Sequence, residues 1–529
     1  MRPPPFAFDS RDIKSCLGFI SALPITDAAA AQVLIPDFLS SLRHAPPPPS
    51  AYFQVLEMLR APLAAIQDDV ARGYADKPLP PNRAEDLSFQ RVAALWKAMA
   101  QAYANVAQLD GTDPLDQGHL ATLCQRCIHY AGLVVFEHYR ARRAFAAGLW
   151  LDLHGYFATA EDWKLATAIV PEPLGVRSRT TTCAQTYASA LLVDLANPYA
   201  RTPREFSLIA RWAQRFSVHT ALAPAPEDEG CRGYGVDLML DRGLQPVENL
   251  AGTPSARVFD TSRLSGEMQP LLANLKLGQA TEDIGLDAGT PAAVASRLLL
   301  QLYRPWCLAA VPRRFQRFRN SGTLQCCHGV DAIHYFVKGN EFIQPDHVRV
   351  FSRTEMDTLS IFRSQVNPNQ PLHQRAMQLG FGLESWDILD SSGNGFRLHR
   401  SAFGARLAYG QLFCLKAPGS DYFGLARVCW LMLEADGGLQ AGLQLLPGKP
   451  EAVSIRPVGA DVSRSHPYGR GFLLPAAPEF HEPPSVVTPP DWFQSDRLVE
   501  VYTDRPLTLR MTQPLAQGSD FERIAVAPA

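Results

Sequence analysis

Residues 312–319 stand out in the sequence, with arginine at positions 313, 314, 317 and 319 and two phenylalanines between them. Guanidinium groups hold phosphates through paired hydrogen bonds, and they also stack on flat rings. The segment therefore has the residue types that a site for an anionic ligand needs. A solvated linker between two domains is often basic as well, so the segment alone leaves both interpretations open.

A second group of polar residues occupies positions 390–395, where the sequence fits the pattern Asp-x-Ser-x-x-Gly between two predicted strands. Aspartate, serine and glycine are ordinary residues of hairpin turns, so the pattern by itself is weak evidence of function. The order of the two segments is more informative. An Arg-x-x-x-Arg pattern stands directly before a predicted first strand, and the aspartate pattern follows it.

In this order the two patterns resemble the motifs of the PilZ domain, a small six-stranded barrel that serves bacteria as a receptor for cyclic di-GMP. Three later segments resemble further strands of that family, at residues 409–415, 426–430 and 440–446. In general layout the whole chain is similar to long proteobacterial PilZ-containing proteins with a helical N-terminal region.

The resemblance implies a binding site for cyclic di-GMP, which carries two phosphates and two guanines. Arg313 and Arg317 match the two arginines of the family, and each can pair with a phosphate or a guanine edge, or stack on a purine. Arg314 and Arg319 are candidate helpers. No cofactor beyond this ligand and no metal ion is implied.

Asp390, Ser392 and Gly395 match the second motif. Asp390 can accept hydrogen bonds from guanine N1–H and N2–H through its two carboxylate oxygens. Ser392 can support the turn or bond the ligand. Gly395 is expected to let the backbone adopt a conformation closed to other residues and to let a ligand approach.

The spacing of the motifs departs from the family, because 73 residues separate Arg317 from Asp390 where the family has a few tens. The excess matches residues 338–384, which are polar, poorly periodic and typical of an insertion. An insertion that displaced the arginines would abolish nucleotide binding while the barrel persisted. If the binding arginines come from elsewhere, the alternatives are Arg353, Arg363 and Arg375.

The elements before residue 224 are predicted to be helical, since apolar residues recur there at helical spacing in roughly eight segments joined by short turns. One helix start is marked by Thr202, Pro203 and Glu205, which form a capping-box pattern. Stacked antiparallel helix pairs of the tetratricopeptide type fit this pattern, and so does an irregular bundle. No repeat of about 34 residues decides between them.

From residue 323 the apolar period falls to two, and short strands are predicted up to residue 511, among them 324–329 and 332–337. The spacing of these strands is typical of a barrel or sandwich. The predicted fold class is therefore an α+β multidomain protein. Its predicted parts are a helical domain at 1–223, a helical connecting region at 224–312, a PilZ-like antiparallel barrel at 313–457 with the insertion 338–384, and a C-terminal β extension at 458–529.

The composition is that of a folded chain, with 47% apolar and 19% charged residues. A formal net charge of −2 argues against nucleic-acid binding, which needs a strongly basic face, whereas a small anion needs only a local cluster. The sequence shows no signal-peptide pattern and no apolar run that would span a membrane. The ten scattered cysteines are typical of buried thiols in a reducing compartment, so a cytoplasmic protein is expected.

Nothing in the sequence points to catalysis. Cys124 and Cys127 form an isolated Cys-x-x-Cys inside a predicted helix, where packing is favoured over metal binding. Nucleophile-elbow, zinc-protease, Walker and Rossmann patterns are missing from the sequence, so a protein that is not an enzyme is expected.

The preferred hypothesis is a bacterial receptor and adaptor. Cyclic di-GMP would bind where the arginine segment meets the barrel, and the helical N-terminal domain would engage an unidentified protein partner. The alternative is a degenerate PilZ-like scaffold that acts only through protein contacts and binds no nucleotide.

Overall fold

A computed structural model of the protein describes residues 8–109, 116–175, 179–225, 233–250, 252–286, 289–308, 316–345, 372–401, 403–458 and 467–529. The chain divides into two compact units. We call them the helical unit, which is Met1–Lys77 with Pro81–Arg313, and the barrel unit, which is Pro78–Pro80 with Arg314–Ala529.

Eight α-helices form most of the helical unit in the part of the chain that the structure describes, as the apolar periodicity predicted. They are α1 (Ile13–Ser21), α2 (Ala28–His44), α3 (Pro49–Ala71), α4 (Arg83–Ala107), α5 (Gln117–Arg140), α6 (Leu149–Asp162), α7 (Cys183–Leu195) and α8 (Pro203–Phe216). The capping box predicted at the start of α8 is present, because Thr202 accepts from the amide of Glu205 and the Glu205 side chain accepts from the amide of Thr202.

Short strands and two further helices complete the helical unit. A two-stranded ribbon joins β1 (Val170–Pro171) to β2 (Thr180–Thr181), and a four-stranded sheet has the order β3–β6–β4–β5. These strands are at most five residues long, too short for a clear period of two in the sequence. The elements of the sheet and the helices after it are β3 (Ala221–Pro224), β4 (Tyr234–Asp237), β5 (Gln245–Pro246), β6 (Ala256–Asp260), α9 (Leu264–Lys276) and α10 (Ala292–Cys307).

A buried cluster of charges ties three segments of the helical unit together. Arg126 on α5 is 0% exposed and donates to both carboxylate oxygens of Glu57 on α3, at 2.9 and 3.0 Å. It also donates to Glu172, directly after β1, at 2.8 Å, and Arg60 donates to the two oxygens of Glu172 at 2.7 and 2.9 Å. Burial alone would raise the pKa of Glu172, but the charges of Arg126 and Arg60 hold it below its usual value.

This cluster makes the helical unit sensitive to the loss of one charge. We expect Arg126→Met to lower the free energy of unfolding by about 3–5 kcal/mol, because the carboxylates of Glu57 and Glu172 would lose their shared partner in a largely buried place. Urea denaturation followed by far-ultraviolet circular dichroism measures the change. Arg83→Met, at an exposed position at the start of α4, is the matched control, with an expected change below about 0.5 kcal/mol. Equal changes in the two variants would contradict a structural role for the cluster.

The first barrel, which lies in the barrel unit, is a closed ring of six antiparallel strands in the order β7–β8–β9–β12–β11–β10. Its interior is apolar, with Leu324, Trp386, Leu398, Phe413 and Leu443 in one buried cluster. The strands are β7 (Thr323–His328), β8 (Glu384–Ser392), β9 (Gly395–Arg400), β10 (Leu412–Lys416), β11 (Gly424–Leu433) and β12 (Leu439–Leu445).

A three-residue segment from early in the sequence belongs to this barrel. Leu79 is buried in the cluster of the first barrel and forms an antiparallel bridge with Leu407. The two backbone hydrogen bonds of the bridge measure 2.9 and 2.7 Å. Residues 78–80 are thus part of the barrel unit although helices precede and follow them.

The second barrel is formed by the C-terminal strands, again six antiparallel strands in a closed ring, in the order β13–β14–β15–β18–β17–β16. The sequence predicted additional strands here, and the structure shows how they close on themselves around Val453, Ile455, Val486, Val499 and Ile524. The strands are β13 (Glu451–Val458), β14 (Gly469–Leu474), β15 (Ser485–Thr488), β16 (Leu498–Tyr502), β17 (Pro506–Gln517) and β18 (Glu522–Pro528).

The strand predicted at 332–337 was wrong, because the structure has the helix α11 (Val330–Lys338) there. Five consecutive residues of α11, among them Ile333 and His334, are buried, since the helix packs against strands of both barrels. A short apolar run does not distinguish a buried strand from a buried helix. Gly339 ends the helix in a left-handed conformation, with φ of 82°.

Of the predicted insertion at 338–384, residues 346–371 lie outside the described residues, and the helix α12 (Leu372–Gln378) follows them. Within the ranges that the structure describes, no helix is both long and apolar enough to cross a bilayer.

Candidate functional site

The structure brings the two sequence motifs together at the start of the β8–β9 hairpin. Arg317 donates from Nη1 to Oδ1 of Asp390 at 2.6 Å, across the 73 residues that separate them in sequence. Arg317 is 35% exposed and Asp390 is 17% exposed, so the pair lies at the surface of the barrel unit. The departure in spacing therefore does not separate Arg317 from the hairpin. Arg313 and Arg314 lie outside the described residues.

Backbone hydrogen bonds hold the residues around Arg317 against β8. Phe318 forms an antiparallel bridge with Ser391, with N–O distances of 2.8 and 2.9 Å. Asn320 adds a side-chain hydrogen bond from Nδ2 to Oγ of Ser391 at 2.5 Å. The position of Arg317 is thus fixed by its neighbours as well as by the ion pair. Arg319 is exposed in the same segment.

Asp390 lies beside a bulge in β8. The register of the β8–β9 pair shifts between Ile388 and Asp390, and on the turn side of this shift Asp390 stands opposite Arg397. Bulges of this kind redirect a side chain at the edge of a barrel. Nη1 of Arg397 lies 3.8 Å from Oδ2 of Asp390, so the two oxygens of the carboxylate face different guanidinium groups.

Arg397 is a candidate residue that the sequence motifs missed. It donates from Nε and Nη2 to Oε1 of Gln440 on β12, at 3.1 and 2.8 Å, and the Gln440 amide donates in turn to Glu434. The signal in the sequence was the hairpin register, since counting back from the pair Ser392 and Gly395 sets Asp390 opposite Arg397. Two arginines and one aspartate give the site an excess of positive charge, which suits a ligand with phosphates.

Ser392 and Gly395 shape the hairpin. Oγ of Ser392 donates toward Oδ1 of Asn394 at 3.1 Å and toward the Gly395 carbonyl at 3.4 Å. Of the two roles predicted for Ser392, these contacts correspond to support of the turn. A backbone conformation closed to other residues was wrong as a reason for Gly395, because its φ is not positive. Glycine is required by packing instead, since a Cβ there would lie 2.2 Å from the carbonyl oxygen of Leu443 on β12.

Of the three alternative arginines, Arg375 is the one in the described part of the chain, and it pairs away from the hairpin. Arg353 and Arg363 lie outside the described residues. Arg375 on α12 pairs with Glu341, with its Nε and Nη2 each 2.9 Å from Oε1. Cys124 and Cys127 are buried free thiols on α5. Among the residues that the structure describes, no group of three or more His, Cys, Asp or Glu side chains is arranged to hold a metal ion.

Comparison with known families identifies the kind of protein to which these motifs belong. Three family models match consecutive parts of the chain: the N-terminal domain of the cyclic-di-GMP receptor FimW at residues 14–227, the middle PilZ domain of that receptor at 248–378, and the FimW C-terminal β-barrel domain at 453–527. The chain thus matches all three domains of a PilZ-containing receptor. The resemblance seen in the two motifs, in a long chain with a helical N-terminal region, is confirmed.

A curated relative agrees with these matches. The cyclic-di-GMP receptor FimW of Pseudomonas aeruginosa is 25% identical to this chain, over 67% of this chain and 63% of the relative. The chain therefore matches less than two thirds of the length of that relative. No solved structure matches the chain significantly.

The PilZ family match covers only part of the candidate site. The PilZ match ends at residue 378, so it includes Arg317 and β7 but neither Asp390 nor the five strands β8–β12. The second barrel corresponds to the match with the C-terminal domain. The association of Asp390 with Arg317, which lies inside the PilZ match, therefore rests on the distance between their side chains.

The packing at Gly395 generates a prediction about the stability of the first barrel. We expect Gly395→Ala to destabilise the barrel unit by about 2 kcal/mol or more, because the strands β9 and β12 must separate to admit the methyl group. Thermal unfolding by calorimetry measures the loss. Gly382→Ala is the matched control, since a Cβ at Gly382 would meet nothing within 4 Å. A barrel that tolerates both alanines equally would show that the close approach to β12 is unimportant.

Proposed function

We propose that this protein is a bacterial receptor for cyclic di-GMP that binds the ligand at the β8–β9 hairpin of the first barrel. The observation that carries the proposal is the 2.6 Å contact between Arg317 and Asp390, which joins the two PilZ motifs in space. The relative from Pseudomonas aeruginosa is itself a cyclic-di-GMP receptor, which agrees with the proposal. We assign ligand binding to Arg317 and Asp390, with Arg313 and Arg314 from the same arginine segment.

The two groups of the pair suit different parts of the ligand. A guanidinium has five N–H donors, so Arg317 can hold Asp390 and still bind a phosphate or the O6/N7 edge of a guanine. The carboxylate of Asp390 can accept from N1–H and N2–H of a guanine. Because both side chains are partly exposed, their ion pair is weak enough to rearrange around a ligand. Ser392 and Gly395 hold the hairpin on which Asp390 lies.

Arg397 extends the site toward β12. Its guanidinium is oriented by two hydrogen bonds to Gln440 and lies near the second oxygen of Asp390. In this position it adds a second positive charge next to the phosphates that Arg317 would hold. A pre-oriented guanidinium loses less conformational entropy when it binds an anion.

We further propose that binding is passed to the helical unit, which engages a protein partner. Arg317 lies only a few residues after the boundary between the units, which falls at Arg313 and Arg314. A ligand that orders the arginine segment therefore acts on the link between the units. The cysteines in the described part of the chain are free thiols, which agrees with a cytoplasmic receptor.

The second candidate function is a scaffold that binds proteins and no nucleotide. It is favoured by the fact that Arg317 and Asp390 are partners of each other, as in a purely structural ion pair. In that case the barrel would keep its fold and its surface but lose the ligand.

Titration calorimetry of the full chain with cyclic di-GMP separates the two functions. We expect binding in the wild type and a loss of at least about tenfold in affinity for Arg317→Gln and for Asp390→Asn, because each removes a charged hydrogen bond to the ligand. Arg510→Gln, at an exposed position of the second barrel, is the control and should bind as the wild type does.

Two results would contradict the receptor. One is the absence of heat when the wild type is titrated with cyclic di-GMP at tens of micromolar. A micromolar dissociation constant, which corresponds to about 8 kcal/mol of binding free energy, would give heat at these concentrations. The other is undiminished binding in both variants, which would place the ligand elsewhere.

A further inference from the structure

A continuous row of polar side chains crosses the first barrel and ends at the candidate ligand site. We call it the polar row. It is formed by His399 and Arg397 on β9, Glu434 directly after β11, Gln440 on β12 and Asp390 on β8. Each member is in contact with the next, so a change at one end of the row can affect the side chains at the other end.

The amide of Gln440 is the middle of the polar row, and its orientation determines what Arg397 meets. Oε1 of Gln440 accepts from Nε and Nη2 of Arg397, at 3.1 and 2.8 Å. Nε2 of Gln440 donates to Oε1 of Glu434. Gln440 is only 8% exposed, so water offers little replacement for either contact.

Glu434 supports this orientation because an ionised carboxylate only accepts hydrogen bonds. The group of Gln440 that faces Glu434 must therefore be its NH2 group, and the carbonyl oxygen is left for Arg397. An amide turned by 180° would point its N–H groups at the guanidinium, which has donors only. Glu434 thus holds an acceptor in place beside Arg397.

Glu434 is itself held by a second partner. Nε2 of His399 lies 3.1 Å from Oε2 of Glu434, and His399 stands opposite Gln440 in the β9–β12 pair. Gly438 leaves room for this contact, since a Cβ there would lie 2.9 Å from Nε2 of His399 and 3.0 Å from Oε2 of Glu434. The two carboxylate oxygens of Glu434 therefore have different partners, and its side chain is fixed although it is 26% exposed.

The polar row leaves part of the Arg397 guanidinium for a ligand. Gln440 takes the N–H of Nε and one N–H of Nη2. The donors that remain lie on Nη1 and Nη2, and two such nitrogens can bind a phosphate through parallel hydrogen bonds. Nη1 lies 3.8 Å from Oδ2 of Asp390, so these donors are next to the carboxylate of the second motif.

We propose that Glu434 is a positioning residue of the cyclic di-GMP site, which holds the guanidinium of Arg397 toward a phosphate of the ligand through the amide of Gln440. This inference rests on the proposed function. Glu434 does not touch the ligand in this role, because its carboxylate is occupied by Gln440 and His399. It reduces the conformational entropy that Arg397 loses when the ligand binds.

Titration calorimetry of the full chain with cyclic di-GMP measures this role as a coupling between two side chains. We expect Glu434→Met to weaken binding about fivefold when Arg397 is present and to have no effect in the Arg397→Gln background, because Glu434 acts through Arg397. Glu434→Gln keeps an acceptor oxygen for Gln440 and should restore most of the affinity. Glu451→Met, the same change at an exposed position of the second barrel, is the control and should bind as the wild type does.

A measurement without ligand separates this inference from the proposed function. The Nε–H signal of Arg397 in nuclear magnetic resonance, assigned by its loss in Arg397→Lys, reports how firmly the guanidinium is held. We expect its exchange with water to be about fivefold faster in Glu434→Met than in the wild type, because the acceptor on Gln440 is no longer fixed.

The outcomes distinguish the two claims. Unchanged Nε–H exchange in Glu434→Met, wild-type affinity in that variant, or an equal loss of affinity with and without Arg397 would overturn the positioning role and leave the receptor intact. Absence of heat when the wild type is titrated with cyclic di-GMP would overturn the receptor and this role in ligand binding together.

Discussion

Closure of the first barrel depends on one close approach of backbone to backbone, where β12 passes Gly395 on β9. A side chain at this place would collide with the carbonyl of Leu443, so only glycine lets the two strands pair along their length. β9 and β12 are not consecutive in the chain, and their pairing helps turn a row of hairpins into a closed ring. The same pairing brings Gln440 beside Arg397 and so orients the second guanidinium group of the hairpin. The candidate site is therefore a product of barrel closure and not of the hairpin alone.

The arginines of this protein show how burial separates structure from recognition. Arg126 is fully enclosed, and its donors are taken by carboxylates and a carbonyl, so it holds helices together and has little left to offer a ligand. Arg317 is a third exposed and donates to one carboxylate oxygen, Oδ1 of Asp390. The residue type is the same in the two cases. What differs is the number of donors that water and a ligand can still reach.

Much of the architecture could be predicted from the sequence, because its signals are local. Helical periodicity and the caps at Thr202 and Glu205 located α8, and the two short motifs led to the PilZ family. The errors arose where tertiary packing decides. α11 is a helix because both barrels bury it, and Gly395 is glycine because of a strand some fifty residues away. Arg397 was missed because it lies outside both motifs, and its link to the site is a cross-strand one, since it stands opposite Asp390 in the β8–β9 pair. Likewise, no local sequence pattern could predict whether the two motifs meet across the 73 residues that separate them.

The bridge between Leu79 and Leu407 affects how this protein can be divided. The chain passes from one unit to the other three times, since residues 78–80 belong to the barrel unit and interrupt the helical unit. A fragment that starts at residue 314 would contain every strand of both barrels and still lack a leucine of the first core together with two backbone hydrogen bonds. Autonomous expression of the barrel would then require that segment to be supplied as a separate peptide or grafted onto the fragment. The boundary at the arginine segment, which looks like a simple linker in the sequence, is only one of three covalent connections.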